Sequence, residues 1–257
     1  MRTLAFLEEI GLGEAASFGE EAAALGNLVK AGIPVVPAFA LPRAAYAEFL
    51  GGKPMRKVLA LCDSRRPEEF RRLLFAVPFP PRLGEEVRES YRRLSGPRDT
   101  VLSVRTEDEE ERAGSAEELL ALVRKFWVEH LSGICERGGN FYQEPLPLLV
   151  QQEVTASRAG NLFTSAPELE SPDFCLVEVI HPEGKELFVF EKGTGEVIKR
   201  TVSGLVEEPT AKEELRDLSS WAARIERVLG TAYLLGWQRF GEGFVFSRLK
   251  RIFLSRP

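Results

Sequence analysis

The chain changes character at about Leu146. Before that point apolar residues recur mainly at helical spacing and are interrupted by prolines. After it they come in short β-rich runs separated by glycine turns. This pattern predicts an α+β protein with a mixed amino-terminal lobe and an antiparallel-rich carboxy-terminal lobe.

In the first part, Ala24, Leu25, Leu28 and Val29 mark a helix over residues 20–32 that stops at Gly32. Pro34 and Pro37 keep Ile33–Phe39 extended, and Pro42 opens a helix from Arg43 to Leu50. Arg65–Leu94 reads as two helices joined by the rigid Val77–Pro81 connector. Thr100–Arg105 alternates like a strand, Glu107–Glu111 is an acidic run, and Ser115 caps a helix reaching Leu131. In the second part, strands are predicted at Leu146–Val154, Cys175–Ile180, Leu187–Glu191 and Glu196–Thr201, with a hairpin turn at Lys192–Gly195. An amphipathic helix over Glu213–Leu229 ends at Gly230. A second hairpin then pairs Leu234–Phe240 with Phe244–Ile252 around Gly241-Glu242-Gly243.

Charge narrows the function. The 257 residues carry 34 basic and 39 acidic side chains, a net charge of −5, which argues against coating a nucleic acid backbone. No apolar run approaches the roughly 18 residues of a membrane span, and the start of the chain reaches carboxylates too early for a secretory leader. Cys62, Cys135 and Cys175 are odd in number and far apart. They are expected to be buried, inert thiols in a reducing cytoplasm, with neither a disulfide scaffold nor a zinc ribbon. Arginine outnumbers lysine 25 to 9 while methionine is scarce, which fits a thermophile or a GC-rich genome. The two histidines, His130 and His181, supply no nucleophile–base arrangement.

Four segments in order carry a resemblance: Phe18–Val35 with its AGIPV, Ser103-Val104-Arg105-Thr106, Val150–Pro167 with VQQEV and AGNLFTSAP, and Leu234–Ile252. Together they resemble the nucleotide-binding domain of the phosphoenolpyruvate synthase and pyruvate phosphate dikinase family. The resemblance implies an ATP-grasp-like two-lobed fold, residues 1–148 and 149–257, that clamps ATP. It also implies phosphoryl transfer through a lysine, an arginine, and an Asp, Glu and Gln that hold Mg²⁺ and phosphate oxygens.

Only the arginine is kept, as Arg105. The lysine position falls on Glu21, the aspartate on Leu234, the glutamate on Gly236 and the glutamine on Arg248. The last three cannot ligate Mg²⁺ through their side chains, so ATP is the implied nucleotide but its metal is left without ligands. The family's glycine-rich GLGE stretch has no counterpart near Glu178–Gly184, and neither histidine sits in a phosphohistidine context.

Each remaining feature carries two readings. Arg105 contacts phosphate or pairs with Glu107–Glu111. Gln151 and Val154 line the adenine through their main chain or simply pack as strand. The acidic run gathers a cation or is a solvated loop. Arg248 and Lys250, on one face of a strand by alternation, replace lost metal charge or balance an acidic surface. Three functions are therefore expected. The first is an impaired nucleotide-binding or regulatory domain. The second is an active phosphotransferase acting on a separate phosphohistidine domain, with Arg248 and Glu178 taking over the metal's work. The third is an interaction module whose cleft is filled by Leu234 and Glu21.

Overall fold

The computed structural model describes residues 3–62, 66–96, 100–106, 108–166, 173–192, 194–206, 209–241 and 243–252. Glu107, Pro167, Gly193, Glu242 and Arg256, together with the expected helix start at Arg65, lie outside the described residues. The chain divides into two compact units, residues 1–23 with 37–153 and residues 24–36 with 154–257. The sequence divides after residue 148, whereas the first unit takes in the whole strand Leu148–Gln152 and the second takes in residues 24–36.

The first unit holds a five-stranded sheet of order β1-β2-β5-β3-β4: β1 (Ala5–Phe6), β2 (Ala38–Leu41), β3 (Leu102–Arg105), β4 (Glu110–Ala113) and β5 (Leu148–Gln152). Every pairing in it is antiparallel. One face presents Phe6, Phe39, Leu41, Leu102, Val104, Leu148 and Val150 to a single buried core. After α1 (Ala15–Phe18) and α2 (Glu20–Lys30), the helices that close this core include α3 (Arg43–Gly51), α4 (Lys53–Leu59), α5 (Pro67–Ala76), α6 (Pro81–Ser95) and α7 (Ala116–Glu136). Trp127 of α7 is fully buried, stacks on Phe79, and donates its indole N–H to the Leu146 carbonyl at 2.9 Å. The predicted cap of α7 is present, with Ser115 Oγ accepting from the Glu118 N–H. The helix itself runs to Glu136, a turn and more beyond the expected end.

Three expectations are corrected in this unit. The last two residues of the acidic run, Glu110 and Glu111, open strand β4, and Glu111 pairs with Lys125 of α7. Helix α4 was not foreseen, since seven residues are too few for a periodic signal. Cys62 and Cys135 form a disulfide that ties the segment after α4 to the end of α7, 73 residues apart.

The second unit holds a six-stranded antiparallel sheet of order β11-β10-β6-β7-β8-β9. Its strands are β6 (Arg158–Phe163), β7 (Phe174–His181), β8 (Gly184–Glu191), β9 (Val197–Gly204), β10 (Tyr233–Phe240) and β11 (Gly243–Arg251). Helix α8 (Lys212–Leu229) lays Leu215, Leu218, Ala222, Ile225 and Leu229 on one face and stops at left-handed Gly230. Cys175 Sγ lies 3.8 Å from Ser219 Oγ beneath α8, and burial pushes this remaining free thiol up to about 11. Residues 34–36 add to the edge of β11 through two backbone hydrogen bonds with Phe246. Among the described residues no helix is long and apolar enough to cross a membrane.

Candidate functional site

Cross-strand register puts paired residues on the same side of a sheet. Ala38, Gln151, Ser103 and Arg112 lie in one row, and Ala40, Leu149, Arg105 and Glu110 in the next. This is the face of the first sheet turned away from its helical core. It is built from small and polar residues, and Ala38, Ala40, Ser103, Arg105 and Gln151 are all buried. The side chains of Gln151 and Arg105 therefore belong to one surface. Val154 follows β5, is half-buried, and falls in the second unit.

Arg105 is only 4% exposed, and its guanidinium donates to Glu21 Oε1 at 2.8 Å. Neither reading of Arg105 named this partner. Glu21 stands in the first turn of α2 (Glu20–Lys30), where the positive end of the helix dipole also favours a carboxylate. Thus two residues that the sequence singled out, 84 positions apart, are bonded to each other. The second arginine of the face, Arg112, pairs with Glu153 at 3.3 Å.

In the second unit, Leu234 and Gly236 lie on the face of the sheet opposite α8, because Leu235 and Trp237 point into the α8 side. Leu234 is half-buried beside Phe163, and Gly236 sits between Ser247 and Asn161. A Cβ at Gly236 would stand 3.1 Å from Ser247 Oγ and 3.2 Å from its carbonyl oxygen, so a longer side chain enters only if its neighbours shift. The nearest carboxylate in register is Glu178. It accepts from Asn161 Nδ2 at 2.5 Å and pairs with Lys185 at 3.1 Å. A divalent cation here would compete with a lysine for one carboxylate. The side chains of Leu234, Gly236 and Arg248 supply no carboxylate or other oxygen, so the residues present do not fit Mg²⁺.

Arg248 departs from simple alternation. It is the extra residue of a β-bulge between the pairs Leu235–Leu249 and Gly236–Ser247, and it adopts φ 44°. The bulge moves the buried positions of β11 from even numbers (Phe244, Phe246) to odd (Leu249). Arg248 and Lys250 are both exposed as expected, but the bulge rather than regular pleating sets Arg248.

Sequence reasoning missed the polar cluster around Glu186 of β8. This carboxylate is fully buried and accepts from Arg200 Nε and Nη2, from Thr210 N and Oγ1, and from His181 Nε2. Burial alone would raise its pKa. The hydrogen bonds, led by Thr210 and Arg200, outweigh burial and hold it below the usual value.

No family model matches the chain. It is 27% identical over 249 residues to the probable phosphoenolpyruvate synthase of Methanothermobacter thermautotrophicus, an alignment covering 79% of this chain and 36% of that one. It is 25% identical over 251 residues to the phosphoenolpyruvate synthase of Aeropyrum pernix, covering 79% and 30%. The prodigiosin synthesizing transferase PigC of Serratia marcescens is 23% identical over 215 residues, covering 72% and 23%. The chain thus spans about a third of the length of the first two relatives. Among solved structures, D-alanine–D-alanine ligase from Bacillus anthracis superposes over 93% of this chain and 57% of its own at 8% identity. Its TM-score of 0.46 is too low to argue from. The sequence likenesses, over about four-fifths of this chain, make it a phosphoenolpyruvate synthase-like domain.

Proposed function

We propose that the chain is a nucleotide-binding domain that has lost phosphoryl transfer and serves in binding or regulation. The observation that carries this is the state of β10. Leu234 and Gly236 fall, by the sequence resemblance, where the family has its metal-holding acids, and the nearest carboxylate in register, Glu178, is bonded to Asn161 and Lys185. Phosphoryl transfer depends on neutralising charge that develops on the phosphoryl oxygens, and among the described residues no metal-holding cluster supplies that. Calorimetric titration with ATP, with and without Mg²⁺, tests the reading. Binding indifferent to magnesium supports it. Magnesium-dependent binding with transfer of labelled γ-phosphate to an isolated phosphohistidine domain restores the active phosphotransferase.

A second reading, a protein-interaction module, is favoured by one observation. Arg105 and Gln151 are 4% and 1% exposed, so the expected phosphate and adenine positions are packed. Absence of any adenine-ligand binding at millimolar concentration selects it. The Cys62–Cys135 disulfide removes the ground on which a reducing cytoplasm was expected, and it agrees with a cytoplasmic location only in a hyperthermophilic source.

A further inference from the structure

The proline connector at residues 77–81, to which nucleotide binding gives no role, forms one wall of a hollow beside the helical core of the first unit. The other wall is the corner where α3 meets α4, with Glu48, Phe49, Gly52 and Met55. The space between them holds about 480 Å³, within the roughly 300–1,000 Å³ usual for small-molecule sites. Phe49 and Met55 are buried and give it an apolar floor, while Phe79 is half-buried and Pro54 and Pro78 are exposed at its sides.

Both walls are set before any ligand arrives. Pro78, Pro80 and Pro81 each fix φ, so the connector has little freedom to lose when something settles against it. Phe79 is held from behind, its ring parallel to that of Trp127 with centroids 6.2 Å apart, and it lies 5.6 Å from the Phe49 ring. The glycines keep the other side open. A Cβ built on Gly51 meets no atom within 4 Å, and one built on Gly52 meets Pro54 Cδ at 3.8 Å.

One charge stands on this apolar surface. Among the described residues that line the hollow only Glu48 is ionisable. It is half-buried and, among the described residues, has no hydrogen-bond or ion-pair partner. The neighbouring cations Lys53 and Arg56 are not among the lining residues, and Arg56 donates to the Gly51 carbonyl at 2.9 Å. A carboxylate that has given up part of its water without gaining a donor favours a cation more than one at an open surface does.

We propose that this hollow is a ligand site, separate from the Arg105 face, for a small amine with an apolar or aromatic body. The body lies between the proline connector and Met55, and the ammonium group meets the Glu48 carboxylate.

Calorimetric titration of the full chain with phenethylamine, phenethyl alcohol and hydrocinnamate at low salt tests this, because the three probes share a phenyl ring on a short chain and differ in the charge of the head group. The amine is expected to bind about tenfold tighter than the alcohol, and the carboxylate more weakly than the alcohol. In Glu48→Gln, which keeps the length of the side chain and its helix propensity, the amine and the alcohol should bind alike. Three probes that bind the wild type equally well overturn the proposal. So does a preference for the amine that survives in Glu48→Gln, and so does failure of the amine to bind at millimolar concentration. The wild-type series needs no variant, so a poorly folded Glu48→Gln does not block the test. Failure here leaves the ATP titration, and the nucleotide-binding reading, untouched.

Discussion

Trp237 of β10 packs against the bare backbone of Gly160 in β6 and donates its indole N–H to the Glu178 carbonyl of β7 at 3.2 Å. One side chain thus spans three adjacent strands. A Cβ built on Gly160 would lie 1.8 Å from the Glu178 oxygen and 3.0 Å from Trp237 Cε2. The glycine is required by close approach, since its φ is not in the left-handed region. Two of the most recognisable residues in the chain, the glycine of AGNLFTS and the tryptophan of the last hairpin, therefore hold the second sheet together.

Gly160→Ala is accordingly expected to destabilise the second unit by about 3 kcal/mol or more, because strand β7 must move to admit a methyl group. Urea unfolding followed by Trp fluorescence measures it. A loss under about 1 kcal/mol would show that the β6–β7 pairing adapts, contrary to the geometry.

What the sequence made legible follows the same division between local pattern and distant contact. The proline connector between α5 and α6, the Ser115 cap, the Gly230 stop and the β10–β11 hairpin all rest on neighbours within a few residues, and all are present. Strand β6 was seen only as a motif, because its burial alternates weakly and a glycine interrupts it. Glu21 and Arg105 were both singled out, yet no spacing reveals a bond between residues 84 apart. Glu186 gave no signal at all, since its partners converge from β7, β9 and the segment before α8. Chemistry-bearing residues could be named from the chain, whereas their partners depended on the tertiary fold.

The Arg105–Glu21 bond predicts a measurable coupling in stability. Removing the carboxylate leaves a buried guanidinium without that neutralising charge, while removing the guanidinium leaves a partly exposed carboxylate that water can serve. Glu21→Gln should therefore cost more than Arg105→Gln. The double variant should be less destabilised than the sum of the singles by about 1–3 kcal/mol. Additive single effects in a double-mutant cycle would mean that the two side chains contribute independently.

The Cys62–Cys135 disulfide closes a 73-residue span and restrains the unfolded chain. Chain-entropy arguments give it about 4 kcal/mol of stability. Reduction with a phosphine, or Cys62→Ser with Cys135→Ser, should lower the thermal midpoint clearly, and Cys175→Ser should leave the disulfide in place. Thiol counting in denaturant should find one reactive sulfhydryl per chain. In the native protein that thiol, Cys175, should react slowly, because burial raises its pKa to about 11 and leaves little thiolate at neutral pH. Three reactive thiols in denaturant would refute the bond.

Glu186 should make the second unit acid-sensitive in a way that one substitution removes. Its carboxylate has five donor contacts that hold its folded-state pKa below the usual carboxylate range, whereas in the unfolded chain it titrates as an ordinary carboxylate. As pH falls through this range, unfolded chains take up the proton before folded ones do, so acid draws the equilibrium toward unfolding. The stabilising contribution is complete above about pH 5 and is lost as pH drops through the folded pKa. Glu186→Gln is expected to be less stable at pH 7, because the neutral amide accepts fewer and weaker hydrogen bonds from Arg200 and Thr210. Its stability should then fall less steeply on acidification, so the two curves converge toward pH 3. Urea midpoints measured between pH 7 and pH 3 for both proteins decide the matter: parallel curves would mean that Glu186 keeps an ordinary pKa in the folded chain.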